Sequence, residues 1–334
     1  MAGTSPALTD SSSRTHGGGA SPMAEARLLD AAESRHAPRH ARGALSLARR
    51  LPQLVVAAKQ VASTVMHGVH GRRRAGVGET FWQFRPFGHG ESAQRIDWRR
   101  SARDDRLYVR ERELETAHTV MIWIDRSPSM GYVSTLAREP KLDRALVLGL
   151  AAADLLVRGG ERVGFPGLMR PVASRAVVDR IAEALIAQEA IAPDLASAEL
   201  PPAEPLPARA QAIVVSDLLS SPHDIGVCVE AMSGRGAHGH VVMIADPVEE
   251  TFPFTGHTEF LDVDSPARLR LGEAASLREI YLTRLAAHRD AIARICARHG
   301  WSFAIHRTDR PASEALLALR VQLEGAGPMR GAAR

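Results

Sequence analysis

Beyond Thr119 the chain alternates between short, continuously apolar runs and longer segments whose apolar residues recur every three or four positions. The first pattern predicts strands buried on both faces, the second amphipathic helices. "TVMIWID" predicts a strand, and "KLDRALVLGLAAADLLVRGG" a helix closed by glycines. "ERVGFPGL" and "SRAVVDRIAEALIAQ" repeat the pair, and a Pro- and Ala-rich loop follows. "AQAIVVSDLL" is the next strand, and "SPHDIGVCVEAMSGRG" a helix with Ser221 as its cap. "GHVVMIADP", an irregular section, a long helix over about 276–299, "WSFAIHRTD" and "ASEALLALRVQLEG" complete the series. Strands alternating with helices predict an α/β fold: a mostly parallel, Rossmann-like sheet with helices on both faces. Upstream, Leu51, Leu54, Val55, Ala58, Val61, Ala62, Val65 and Met66 form a helical stripe, and "TFWQFRPF" and "RLYVRERELE" read as strands. The expected organisation is a disordered tail over 1–43, a helix and strand-rich segment over 44–118, the α/β domain over 119–325 and a flexible end over 326–334.

Composition narrows the function classes. A hydrophobic fraction of 45% provides for a real core, while 4% aromatics leaves Leu, Val, Ile and Ala to fill it. Two cysteines, Cys228 and Cys296, exclude a disulfide framework and a cysteine-rich zinc module, and both sit among apolar neighbours as core residues. The most apolar stretch, residues 145–157, spans 13 positions and contains Asp154, short of the ~20 that cross a bilayer. No membrane span is therefore expected, and a reduced, cytoplasmic setting is. Net charge is +4, but the basic residues are spread along the chain and are arginine everywhere except Lys59 and Lys141. The most basic-looking span, Glu91 to Glu115, holds seven arginines against seven acids, which favours an internal ion-pair network over a nucleic-acid surface. Trp98, in its middle, is expected to be a packing anchor.

Enzyme signatures are missing. Of fourteen histidines most fall in the tail or in loops, and no H-E-x-x-H, G-x-S-x-G or G-x-x-x-x-G-K-[ST] occurs. The remaining chemistry lies at strand ends. Three strands finish on aspartate: Asp125, Asp217 and Asp246. In an open parallel sheet ligands bind beyond these ends. A lone strand-end aspartate is best read as a helix cap. Asp125, however, opens a D-x-S-x-S loop with Ser127 and Ser129. With Asp217 these supply carboxylate and hydroxyl oxygens, the donors that Mg²⁺ and other hard divalent cations take.

D-x-S-x-S after the first strand, with an aspartate ending a later one, resembles the metal-ion-dependent adhesion site of von Willebrand factor A domains. The stretch before it is more specific. Arg95, Ile96, Asp97, Trp98, Ser101, Ala102, Arg103, Leu107, Val109 and Arg110 match the R-x-I-D-W…S-A-R…L…V-R segment of a bacterial family labelled domain of unknown function fifty-eight. The resemblance spans roughly residues 70 to 322 and leaves the tail unexplained. It implies a von Willebrand A-like domain and an adaptor or partner role beside MoxR-type AAA+ ATPases, with which such proteins are typically encoded. It also implies a divalent metal, such as Mg²⁺, on Asp125, Ser127, Ser129 and Asp217. The chain departs from the von Willebrand A pattern in one donor: no threonine lies between Phe165 and Gln211, where only Ser174 or Ser197 could substitute. Arg126 follows the first aspartate and would oppose a bound metal if it turned inward. Two readings of the cluster therefore stand: a metal site, or polar groups that hydrogen-bond each other and the next helix.

Two functions follow. The first is a non-enzymatic interaction module, gripping a carboxylate of the ATPase or its client through a bound cation. In that reading Asp125→Ala abolishes capture and leaves the fold intact, because the loop faces solvent. The alternative is a metal-dependent hydrolase using Asp125, Asp217 and Asp246, for which the sequence offers no general base.

Overall fold

The computed structural model describes residues 7–8, 26–28, 39–69, 81–88, 91–103, 105–112, 117–261 and 268–325. Most of the expected tail over 1–43, and all of the C-terminal end over 326–334, lie outside the described residues. The chain forms two compact units, residues 68–117 and the remainder, and each is described by itself.

The larger unit begins with short strands β1 (Ala7–Leu8) and β2 (Ala26–Leu28) and helix α1 (Arg39–Val69). The predicted stripe is the buried one: Leu47, Leu51, Leu54, Ala58, Ala62 and Val65 enter the main core. Lys59 pairs with Asp179 at 3.0 Å and Arg50 with Asp143, so α1 belongs with the α/β body rather than with the strand-rich segment.

In the smaller unit β3 (Phe81–Pro86) pairs antiparallel with β4 (Tyr108–Arg112). Between them α2 (Trp98–Ser101) is capped by Asp97, whose carboxylate accepts the Arg100 N–H at 2.9 Å. Ser101 Oγ donates to the Asp97 carbonyl and accepts the Tyr108 N–H, tying the turn to the strand. The Arg100 guanidinium stacks 4.6 Å from the Tyr108 ring, and Arg85 pairs with Glu91 at 2.6 Å. Trp98 is not the expected anchor. The residue, at the head of this single helical turn, is 63% exposed. Trp98→Ala should therefore change the unfolding free energy by no more than about 0.5 kcal/mol, as for other surface substitutions. A loss of several kcal/mol on denaturant titration would restore the packing role.

The α/β core follows as β5 (Thr119–Ile124), β6 (Tyr132–Ser134), α3 (Lys141–Arg158), β7 (Arg162–Phe165), β8 (Met169–Val172), α4 (Val177–Ile191) and α5 (Pro193–Ala196). Then come β9 (Gln211–Ser216), α6 (Pro222–Ser233), β10 (His238–Ala245), α7 (Pro247–Thr251), β11 (Thr258–Leu261), β12 (Arg268–Leu271), α8 (Arg278–Arg298), β13 (Ser302–Arg307) and α9 (Ala312–Gly325). The main sheet has six strands in the order β13-β10-β9-β5-β7-β8. All neighbours are parallel except β7 and β8. Helices flank both faces, α3 with α4 and α9 in one group and α6 with α8 in the other. The fold is the doubly wound, Rossmann-like α/β architecture that the alternating pattern predicts.

Its centre is dry. β5 is buried from Val120 through Ile124, as a strand covered on both faces must be. α3 crosses it so closely that a methyl on Gly149 would fall 2.5 Å from Cδ1 of Ile124. The section between β10 and α8 forms a second, aromatic cluster of Phe252, Phe254 and Phe260 with Val248, Ala274 and Tyr132. Phe252 and Phe260 stack at 5.8 Å.

Candidate functional site

The sheet order reverses between β5 and β9, the first strand leading outward to β7 and the second to β10. Such a switch point leaves a crevice at the carboxyl ends, since the loops leaving the two strands turn to opposite faces. Asp125 and Asp217 are the residues immediately after these two strands. The Asp125 N–H extends the ladder by one bond to the Val215 carbonyl at 2.9 Å. The chain then turns into one turn of 3₁₀ helix, Pro128–Gly131, where proline fits the first position because its missing N–H has no helical partner.

The predicted residues do come together. Ser127 and Ser129 hydroxyls lie 3.1 Å apart, and Ser129 Oγ donates to Asp217 Oδ2 at 2.8 Å. Asp125 Oδ1 accepts the Ser127 N–H at 2.8 Å, and its Oδ2 accepts the Ser216 hydroxyl at 2.6 Å. Asp125 is 1% exposed and Asp217 2%, so the expectation of a solvent-facing aspartate fails. Burial first, and then the neighbouring Asp217 charge, push the Asp125 carboxyl up to about 8 against the pull of its hydrogen bonds. Leu218, next in line, takes φ +53°, a left-handed conformation that costs a side-chain-bearing residue about 1–3 kcal/mol. Ser216 Oγ accepts its N–H at 2.8 Å, and His288 Nε2 donates to its carbonyl at 2.7 Å.

The third aspartate does something else. Asp246 accepts the Val248 and Ser134 N–H groups at 2.9 Å each, and Glu249 Oε2 accepts the Asp246 N–H at 2.8 Å, a capping box that starts α7. Ser174 and Ser197 do not complete the cluster either. Ser174 accepts the Ala176 N–H, and Ser197 donates to the carbonyls of Pro193 and Asp194. Arg126 turns away from the aspartates, to the Glu189 carboxylate at 3.3 Å, the Gln188 side chain and the Leu185 carbonyl.

The residue that sequence reasoning missed is Lys141, the first of α3. Its ammonium donates to Asp217 Oδ2 at 2.8 Å and to Glu249 Oε1 at 2.7 Å, and lies 5.8 Å from the centre of the Tyr132 ring. It is 1% exposed. Burial works against its charge, but the two carboxylates and their hydrogen bonds outweigh this and hold it firmly protonated. One signal was present: lysine occurs only twice in a chain otherwise supplied with arginine.

Oxygen type and spacing in the cluster suit a hard cation. The charge does not. Asp217 Oδ2 is already neutralised by Lys141, and both Asp125 oxygens are engaged. A dication on Lys141's own carboxylate would have to share it with the ammonium and meet the repulsion of that fixed positive charge. As arranged, the residues do not fit a divalent ion.

Fold and site together define a doubly wound α/β protein with a hydrogen-bonded polar cluster at its switch point. The chain belongs to the family described as Protein of unknown function DUF58, which matches residues 83–291. The uncharacterized protein Rv1480 of Mycobacterium tuberculosis and the uncharacterized protein Mb1516 of Mycobacterium bovis are each 28% identical over 296 residues, covering 82% of this chain and 90% of the relative. Among solved structures, an aerotolerance-related membrane protein from Bacteroides fragilis, carrying multiple mutations to serines, is 15% identical with a TM-score of 0.35. The conserved hypothetical protein BatB from Bacteroides thetaiotaomicron is 16% identical with the same score, and each covers 63% of this chain and 100% of its own. Among the described residues no helix is long and apolar enough to cross a membrane.

Proposed function

We propose that the chain is a von Willebrand A-like, non-enzymatic interaction module that works as an adaptor or partner of a MoxR-type AAA+ ATPase, in the cytoplasm. The carrying observation is that Asp125, Ser127, Ser129, Asp217 and Lys141 are tied together by hydrogen bonds at the switch point. The loops around the cluster supply the contact surface. Pro128 and Arg138 are exposed, and Leu136, in the loop between β6 and α3, is 51% exposed. The strand order and the D-x-S-x-S loop support the von Willebrand A-like reading, and family membership supports the ATPase partner. The hydrolase alternative needs Asp125, Asp217 and Asp246 open to a substrate, whereas all three are buried and one is a helix cap.

The test mixes the purified chain with the MoxR-type ATPase of its own cells in Mg²⁺ and ATP. A complex on size-exclusion chromatography and a changed ATPase rate are expected. Leu136→Asp should weaken the complex about tenfold, the effect of one apolar contact worth ~1.4 kcal/mol, without lowering the melting temperature. No complex and an unaltered ATPase rate would refute the partner.

A further inference from the structure

Lys141 is placed against two physical preferences at once. A lysine buried to 1% exposure loses its hydration. At the first position of α3 it faces the positive end of the helix dipole. It is also an ammonium in a chain whose basic residues are otherwise arginine, save Lys59. The last point identifies the requirement. A guanidinium is a planar fork, whereas an ammonium is a compact charge with three donors that fits a cation-sized gap between oxygens. Lys141 fills such a gap between Asp217 and Glu249, at 2.8 and 2.7 Å. These carboxylates lie 76 and 108 residues further along the chain, so one cation joins the start of α3, the end of β9 and α7. The same Asp217 oxygen accepts the Ser129 hydroxyl, which sets the D-x-S-x-S loop.

We propose that the Lys141 ammonium is the built-in cation of this site. It takes the place of a divalent metal in joining the strand ends, so the D-x-S-x-S loop is set, and any surface around it formed, without metal. This does not rest on the identity of the partner, and its test uses the isolated chain.

Thermal melting and calorimetric titration are run on the full chain with millimolar Mg²⁺, with millimolar Mn²⁺ and with chelator. The wild-type protein should melt at one temperature in all three and show no saturable heat. Lys141→Met, of similar shape but uncharged, should melt roughly 10 °C lower in chelator. Mg²⁺ or Mn²⁺ should restore part of that loss, because the vacated gap is lined by unpaired carboxylates. Saturable binding of either ion to the wild-type chain, or its stabilisation by either, overturns the proposal. So does Lys141→Met melting with the wild type, or showing no recovery with either ion. Failure of Lys141→Met to fold would support the joining role, and the wild-type titration would still be able to overturn the metal-free site.

Discussion

Asp217→Ala is expected to cost the folded chain about 3–5 kcal/mol, the usual penalty for removing one partner of a buried ion pair. The carboxylate is 2% exposed and serves two donors, the Lys141 ammonium and the Ser129 hydroxyl, through one oxygen. Without it the ammonium keeps Glu249 as its remaining carboxylate, and the hydroxyl loses its acceptor. Asp217→Asn should cost less, since an amide oxygen still accepts both bonds but no longer balances the charge. Urea titration at neutral pH measures both. A change within about 0.5 kcal/mol for the alanine variant, the range of an ordinary surface substitution, would show that Asp217 does not hold the site together. Asp125→Ala belongs in the same series. It strands the Ser127 N–H and the Ser216 hydroxyl, and each unsatisfied buried group costs about 1–3 kcal/mol. Loss of partner capture in that variant would therefore need a stability measurement beside it.

The course of the chain was legible because each core element carries its own period. "TVMIWID" and "AQAIVVSDLL" are buried strands by composition, and α3 is helical by its spacing; all three lie where the pattern puts them. The D-x-S-x-S loop was legible for the same reason, being local, and the switch point brings Asp217 to it. What local pattern does not carry is the company that a polar residue keeps. Lys141, Ser216 and Glu249 come from three separate segments, and nothing near Lys141 marks it as buried except its position at the head of an almost wholly apolar helix. The stretch after Asp246 was unreadable because its strands are four residues long, and its aromatic cluster is completed by Tyr132, far away in sequence. Trp98 misled through its size, since a large ring is usually a core residue but here heads a single exposed helical turn.

Acid should weaken the fold at its buried histidines. His306, on β13, is 6% exposed, and its Nε2 accepts from Arg144 Nη1 at 2.9 Å. That bond requires a bare Nε2, so the ring is neutral with its proton on Nδ1. Arg144 is fixed in turn by the Thr308 and Arg310 carbonyls and by Glu139, and has no other place to go. Burial first, and the guanidinium second, hold His306 down to about 4 against its ordinary 6.5, with Asp309 pulling weakly the other way. His240 is likewise down to about 4, through burial and then His238. A histidine whose folded value is depressed stabilises the fold above its unfolded value. That stability is lost as pH falls from about 6.5 through about 4. For His306 alone the full loss is about 3 kcal/mol, at ~1.4 kcal/mol per pH unit. Urea midpoints measured from neutral pH down to about 4 should fall across that window less than the two histidines alone would give, because Asp125, raised to about 8, holds a proton in the folded state and works the other way. His306→Gln keeps an acceptor for Arg144 and cannot titrate, so it should shed roughly half of the histidine-linked slope while staying near the wild type at neutral pH. An unchanged acid slope in His306→Gln would place the acid sensitivity in other groups and would contradict a neutral His306 locked beneath Arg144.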